Sequence, residues 1–176
     1  MDVCEHRFPG VEPASALRTA PGNVSQRPFE FLFHAMILYV EDEADDAFFM
    51  RTAFKKAGIA LPLHVVDDGE KALAYLAGRR PYDDRAQHPL PDLVLLDLNL
   101  PLRSGFEVLE WVRGQPDLRH LPVVIYSSSG RPEDRARATA LGATDYLLKP
   151  SSGLDFIRVA QQVKQTWLDR TGGSTA

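Results

Sequence analysis

The chain has 176 residues, a formal net charge of -4 at pH 7 and a hydrophobic content of 44%, a composition typical of an ordinary globular protein. The length favours one domain, and the slightly acidic balance excludes the basic surface that nucleic acids require, so we expect no nucleic-acid partner. The single cysteine, Cys4, excludes an internal disulfide. No apolar stretch is long enough to span a bilayer and no signal peptide is evident, so we expect a cytoplasmic location and no membrane partner.

Residues 1–35 differ from the rest of the chain in composition. Proline, glycine, serine, arginine and alanine dominate this segment, and no helical or strand period persists along it. Such a pattern is typical of disorder. We therefore predict a disordered extension over 1–35, a folded domain over 36–169 and a polar tail over 170–176. Met36, which opens the first strand, is an equally good candidate for the natural start.

From Met36 onward, short apolar runs alternate with segments of helical period. The predicted strands are 36–40, 61–66, 93–97, 123–126 and 144–148, and the predicted helices are 44–57, 69–79, 105–114, 132–141 and 154–168. Phe48 is among the expected core residues of the first helix. The strand–helix alternation predicts an α/β fold, a five-stranded parallel sheet with helices on both faces in a (βα)5 arrangement.

Polar side chains follow four of the predicted strands at the point where each strand ends. Glu41 and Asp42 follow the first strand, Asp97 ends the third, Ser127 follows the fourth and Lys149 follows the fifth. Right-handed crossovers bring the C-terminal ends of parallel strands to one edge, where ligands bind. Three carboxylates suit a hard cation such as Mg2+, while a hydroxyl and an ammonium suit phosphoryl oxygens. The pattern therefore predicts a site for a divalent cation and a phosphoryl group.

Each of these side chains also has a purely structural interpretation. Asp42 or Asp45 would cap the first helix, and Asp97 would start a turn. Ser127 would belong to a loop, and Lys149 would be a solvated charge. The order of all these features on the strand ends favours a common site.

Two stretches resemble the receiver domain of response regulators in two-component signalling. They are Ile37–Glu43 with Asp45 and Asp46, and Asp92–Pro101, and the resemblance extends over residues 36–168. It implies the flavodoxin-like, CheY-like form of the (βα)5 fold. The end of the second stretch and the long connection before it are most similar to single-domain regulators paired with bacterial phytochrome-type histidine kinases.

The resemblance implies a covalent phosphoacceptor with its cation. Asp97 would accept a phosphoryl group from a sensor histidine kinase or a phosphotransfer protein. Mg2+ would be held by the carboxylates of Asp97 and Asp42, by the backbone carbonyl of Asn99 and, through water, by Glu41.

The resemblance also implies residues that bind the phosphoryl group. Ser127, the backbone N–H of Ser128 and Lys149 would contact its oxygens, with Lys149–Pro150 in the cis form. Ser127 would further act with Tyr146 as a conformational switch.

Asn99 and Ser129 flank the site and are expected to tune the lifetime of the aspartyl phosphate. The surface of the fourth helix, fifth strand and fifth helix would report the switch, and a homodimer through that surface is possible in this family. Few residues follow the last helix, so we expect no output domain.

The predicted function is therefore that of a single-domain response regulator, which phosphorylates and dephosphorylates itself and is not a turnover enzyme. Two alternatives stay open. A haloacid-dehalogenase-type phosphatase also uses Asp, Ser or Thr, Lys and Mg2+, although it would have its nucleophile in the first strand and an aspartate where Asn99 lies. A receiver-fold scaffold independent of phosphorylation would lack the site residues, and this chain has them.

Overall fold

The computed structural model describes residues 36–150 and 155–168. They form β1 (Ile37–Val40), α1 (Ala44–Lys56), β2 (Leu63–Val66), α2 (Gly69–Ala77), β3 (Leu93–Leu96), α3 (Gly105–Gly114), β4 (Val123–Ser127), α4 (Pro132–Ala140), β5 (Asp145–Leu148) and α5 (Phe156–Val163). The helix α5 continues into a π-helical turn, Lys164–Leu168. Every predicted element is present, with small shifts at its ends. The predicted extension over 1–35 and the predicted tail over 170–176 lie outside the described residues.

The strands form one parallel sheet in the order β2-β1-β3-β4-β5. Because the strand order reverses beside β1, a crevice opens outside the carboxyl ends of β1 and β3, where ligands bind in open α/β sheets. The predicted fold class is confirmed. No helix in the described part of the chain combines the length and apolar character needed to cross a membrane.

Helices cover both faces of the sheet, and this explains the uninterrupted apolar strands. One face packs against α2, α3 and α4, and the other packs against α1 and α5. Every residue of β1, β3 and β4 is buried. Parallel strands that are covered on both faces need apolar side chains in both directions, so their sequences do not alternate.

The inner face of α1 differs from the prediction. Phe48 was expected in the core, but its side chain is 65% exposed, and Met50, Ala53 and Phe54 form the buried stripe instead. These three residues follow the i, i+3, i+4 spacing of one helix face. Phe48 lies two positions before that stripe and therefore turns toward solvent.

The long connection between α2 and β3 packs against the domain. The Arg85 guanidinium donates hydrogen bonds to the backbone carbonyls of Tyr75, Leu76 and His88 at 2.8, 2.8 and 3.1 Å. Two of these acceptors, Tyr75 and Leu76, lie at the C-terminal end of α2, where carbonyls lack the usual i+4 partner, and the Tyr75 carbonyl also accepts the Gly78 backbone N–H at 3.1 Å. The connection is thereby fixed beside the helix.

The prediction that the Lys149–Pro150 bond is cis is wrong. Among the described residues the cis bond is Arg80–Pro81, and Lys149–Pro150 is not cis. The two forms of an X–Pro bond differ by only about 0.5–1 kcal/mol, so tertiary contacts decide between them.

Candidate functional site

The carboxyl ends of four strands bring the predicted site residues together. Glu41 and Asp42 directly follow β1, and Asp97 directly follows β3. Ser127 is the last residue of β4, and Lys149 directly follows β5. Since β1, β3, β4 and β5 are successive neighbours in the sheet, these side chains share one edge.

The three carboxylates form a compact acid group. Glu41, Asp42 and Asp97 each offer an oxygen, and these oxygens lie within 4.8 Å of one another. Glu41 and Asp97 are buried, whereas Asp42 is exposed. Carboxylates at this separation disfavour each other's charge unless a cation lies between them. An all-oxygen donor set with access to solvent fits a hard divalent cation that keeps part of its water shell.

Lys149 lies against this acid group. Its Nζ atom is 2.5 Å from Glu41 Oε2, 2.8 Å from Asp97 Oδ2 and 3.1 Å from Asp46 Oδ2, and its side chain is only 8% exposed. Burial alone would lower the pKa of Lys149, but the hydrogen bonds to Asp97 and Glu41 outweigh it and raise the pKa above its ordinary value. The ammonium therefore stays charged at neutral pH.

Glu41 is the most buried member of the acid group, with 1% of its surface exposed. The Tyr39 hydroxyl donates to Glu41 Oε2 at 2.7 Å, and the Glu43 backbone N–H donates to Oε1 at 3.2 Å. Burial raises the pKa of Glu41, whereas the hydrogen bonds from Lys149 and Tyr39 oppose that rise. Glu41 thus depends on these donors to carry its charge.

The Asp97 carboxylate is held on both oxygens. Oδ1 accepts the backbone N–H of Leu98 at 2.6 Å and that of Asn99 at 3.3 Å, and Oδ2 accepts from Lys149. The loop after Asp97 passes close to the start of α3, where a Cβ atom on Gly105 would lie 2.0 Å from the Asp97 carbonyl oxygen. Because glycine has no Cβ atom, the Asp97 carbonyl can lie this close to the backbone at the start of α3.

The same loop ends in a capping box. The Ser104 side chain accepts the Glu107 backbone N–H at 3.4 Å, and the Ser104 backbone N–H donates to Glu107 Oε2 at 2.9 Å. This reciprocal pair satisfies backbone groups at the first turn of α3. It fixes the far end of the loop that carries Asn99.

Ser127 and Tyr146 lie on adjacent strands but do not share a hydrogen bond. The Ser127 side chain is fully buried, and its Oγ accepts the Ser129 backbone N–H at 3.4 Å. The Tyr146 hydroxyl donates to the Ser129 carbonyl at 2.7 Å, and the Arg135 guanidinium lies 4.7 Å from the centre of the tyrosine ring. Tyr146 is therefore turned inward under α4.

The remaining predicted residues lie on the loops around the site. Asn99 and Ser128 are exposed, on the loops after β3 and β4. The Ser129 hydroxyl donates to Asp134 Oδ2 at 2.5 Å, so it is directed toward α4.

Sequence reasoning did not assign roles to Tyr39 and Asp46, which both contact the site. Tyr39 precedes Glu41 by two strand positions, a spacing that puts both side chains on the same side of the chain. Asp46 lies in the first turn of α1, four residues after Asp42. These positions in the sequence indicate that both residues lie near the site, but they do not indicate which side chains the two residues contact.

Comparison with known proteins identifies the family. The family model of the response regulator receiver domain matches residues 37–161. The response regulator Rcp1 from Synechocystis sp. is 34% identical over 134 residues, which cover 76% of this chain and 89% of Rcp1. The chain therefore belongs to the response regulator receiver family and not to a family of metabolic enzymes.

Among the solved structures that are similar to this chain are phytochrome response regulators. The phosphorylated cyanobacterial phytochrome response regulator RcpA has a TM-score of 0.72 and 31% identity, with 78% of this chain and 96% of RcpA covered. RPA3017, a response regulator in red light signaling of R. palustris, has a TM-score of 0.73 and 32% identity, with 77% and 94% covered. The predicted resemblance is therefore confirmed, and a phosphatase or a phosphorylation-independent scaffold is not favoured.

A divalent metal at the acid group is consistent with these relatives. Rcp1 has a solved Mn2+-bound form, with a TM-score of 0.70 and 32% identity to this chain, covering 81% of this chain and 97% of Rcp1. The compact group of Glu41, Asp42 and Asp97 offers oxygen ligands of the type that such ions take.

Proposed function

We propose that Asp97 accepts a phosphoryl group from a histidine kinase and that the domain signals through the resulting change in its own surface. The observation that carries this proposal is the position of the Asp97 carboxylate, which lies within the acid group and 2.8 Å from Lys149 Nζ. A nucleophilic carboxylate between a cation site and a fixed ammonium suits phosphoryl transfer.

In the proposed reaction an Asp97 carboxylate oxygen attacks the phosphorus atom of a phosphohistidine. The bond between this oxygen and phosphorus forms as the bond between phosphorus and the imidazole nitrogen breaks, and the imidazole leaves with the electron pair. Lys149 would donate to a phosphoryl oxygen, and Ser127 Oγ and the Ser128 backbone N–H would bind the others. These donors would stabilise the negative charge of the transferred group.

Mg2+ is the cation we propose for the acid group. Asp97 and Asp42 would bind it directly, the Asn99 backbone carbonyl would add a further oxygen, and Glu41 would contact it through water. When bound, the ion supplies positive charge that neutralises the phosphoryl oxygens. The exposure of Asp42 supports this choice, because Mg2+ usually keeps several of its waters.

The proposed signal is a rearrangement around Ser127 and Tyr146. Ser127 would move toward the phosphoryl group, which would change the loop that Tyr146 contacts through the Ser129 carbonyl. Of the residues in α4, Ala138 alone is buried. A helix with so little buried surface is expected to shift easily, and this supports the surface of α4, β5 and α5 as the place where a partner or a second copy binds.

We infer that the kinase is of the phytochrome type, because RcpA and RPA3017 are response regulators of phytochrome and red-light systems. The domain is also proposed to hydrolyse its own aspartyl phosphate, at a rate that Asn99 and Ser129 influence. For Ser129 this influence would include its hydrogen bond to Asp134.

Incubation of the full chain with acetyl phosphate and Mg2+ tests the proposal. Wild type is expected to gain one phosphoryl group, detected by intact mass, and Asp97→Asn is expected to gain none. Asp92→Asn, at an exposed acid before β3, serves as the control and should be labelled like wild type. Equal labelling of Asp97→Asn and wild type would contradict the assignment of Asp97. Turnover of many phosphoester molecules per chain would instead indicate a phosphatase.

A further inference from the structure

The Lys149 ammonium has a carboxylate partner outside the acid group. Besides Glu41 Oε2 and Asp97 Oδ2, its Nζ atom contacts Asp46 Oδ2 at 3.1 Å. An ammonium group has three N–H donors and no acceptor. The number of carboxylates around Lys149 equals its number of N–H donors, and one of these carboxylates, Asp46, belongs to α1 and forms an ion pair with the ammonium.

Phosphorylation would affect these partners differently. Asp97 would lose its carboxylate charge on becoming an acyl phosphate, and Glu41 belongs to the acid group that suits the metal. In the part of the chain that the structure describes, that group comprises Glu41, Asp42 and Asp97, so Asp46 lies outside it. Asp46 is thus the partner of Lys149 whose chemistry the reaction leaves unchanged.

We propose that Asp46 is a positioning residue for Lys149, an inference that rests on the proposed phosphorylation of Asp97. Asp46 lies in the first turn of α1, where the helix dipole favours an acid, and its side chain is partly shielded from water. The Lys149 charge ends a flexible four-carbon stem that needs anchoring. Asp46 keeps the ammonium at the strand ends while a donor turns from the Asp97 carboxylate to a phosphoryl oxygen.

The residue beside Asp46 provides a matched control. Asp45 is an exposed acid in the same helical turn, and the ion pairs of the described residues do not join it to Lys149. Asp46→Asn removes the negative charge that pairs with Lys149, whereas Asp45→Asn removes an equal charge from the same helix end. Both changes are made in the full chain, and the phosphorylation rate with acetyl phosphate is measured at saturating Mg2+. We expect Asp46→Asn, which replaces the carboxylate of this partly buried ion pair with a neutral amide, to react about tenfold more slowly, and Asp45→Asn to match wild type.

The side-chain 15N signal of Lys149 reports whether Asp46 acts through this residue. The signal is assigned in 15N-lysine-labelled protein by its loss in Lys149→Gln. Asp46→Asn is expected to shift it, and Asp45→Asn is expected to leave it in place. A wild-type rate in Asp46→Asn, an equal loss of rate in Asp45→Asn or an unchanged ammonium signal would each overturn the proposal. Failure of wild type itself to take up a phosphoryl group would instead overturn the proposed function.

Discussion

Two buried tyrosines beside the site allow a matched measurement of the hydrogen bond to Glu41. Tyr39 and Tyr126 are both fully buried, and their ring centres lie 6.0 Å apart on the face of the sheet that packs against α1 and α5. The Tyr39 hydroxyl donates to Glu41 Oε2 at 2.7 Å, whereas the Tyr126 hydroxyl has no hydrogen-bond partner among the residues that the structure describes. Removing each hydroxyl therefore changes similar packing but only one hydrogen bond.

Tyr39→Phe is expected to lower the free energy of unfolding by about 2 kcal/mol, as for a hydrogen bond to a charged group. Water cannot readily replace the lost donor, because both Tyr39 and Glu41 are buried. Tyr126→Phe is expected to leave the free energy of unfolding unchanged or to raise it by up to about 1 kcal/mol, since an unpaired buried hydroxyl costs stability.

Urea denaturation of the full chain at neutral pH measures both changes. A chelator is included so that no bound metal contributes, and the slopes with denaturant must agree among the variants before the free energies are compared. If Tyr39→Phe is as stable as Tyr126→Phe, the hydrogen bond to Glu41 contributes nothing to folding and the reasoning is refuted.

Two further changes test the fold around the site and its pH response. Gly105→Ala is expected to lower the free energy of unfolding by about 2–3 kcal/mol, because the new Cβ would lie 2.0 Å from the Asp97 carbonyl oxygen. Gly114→Ala lies in the same helix, where the new Cβ would meet no atom within 4 Å apart from its chain neighbours and the nearby helix backbone, and it should be neutral or stabilising in urea denaturation. Equal effects of the two substitutions would contradict this account. Burial, and to a smaller extent the nearby Arg51 guanidinium, lower the pKa of His64, so the folded chain binds fewer protons there than the unfolded chain does. Stability therefore falls as pH decreases through about 6.5. His64→Phe should reduce the loss of unfolding free energy between about pH 7.5 and pH 5.5, and a loss as large as in wild type would exclude His64 as a cause.

The residues at the strand ends could be predicted because a strand and its end are indicated by neighbouring residues in the sequence. An apolar run followed by an acid, as in Leu93–Asp97, indicates a buried strand that ends at a polar edge. Parallel connections then place all such ends together, whatever the details of packing. This rule alone is enough to predict that Asp97, Glu41 and Lys149 share one site.

Contacts made by side chains across the fold were not predictable in this way. The partners of Lys149 directly follow β1 and β3 or lie in α1, and the hydrogen bond of Tyr146 to Ser129 joins β5 to the loop after β4. The isomer of Lys149–Pro150 was predicted wrongly, because the two forms of a prolyl bond are close in energy. The side-chain partners and the prolyl isomer both depend on contacts between residues that are far apart in the sequence.

The order of residues along the chain thus determined which groups reach the edge of the sheet, namely the acids, the serine and the lysine at successive strand ends. The tertiary structure alone decided how they are paired. It set Asp46 beside Lys149 and Tyr39 beside Glu41, and it turned Phe48 toward solvent. The physical reason is that strand periodicity follows from local backbone geometry, whereas the partner of a buried charge is selected by packing and by the need to satisfy every donor and acceptor that leaves water.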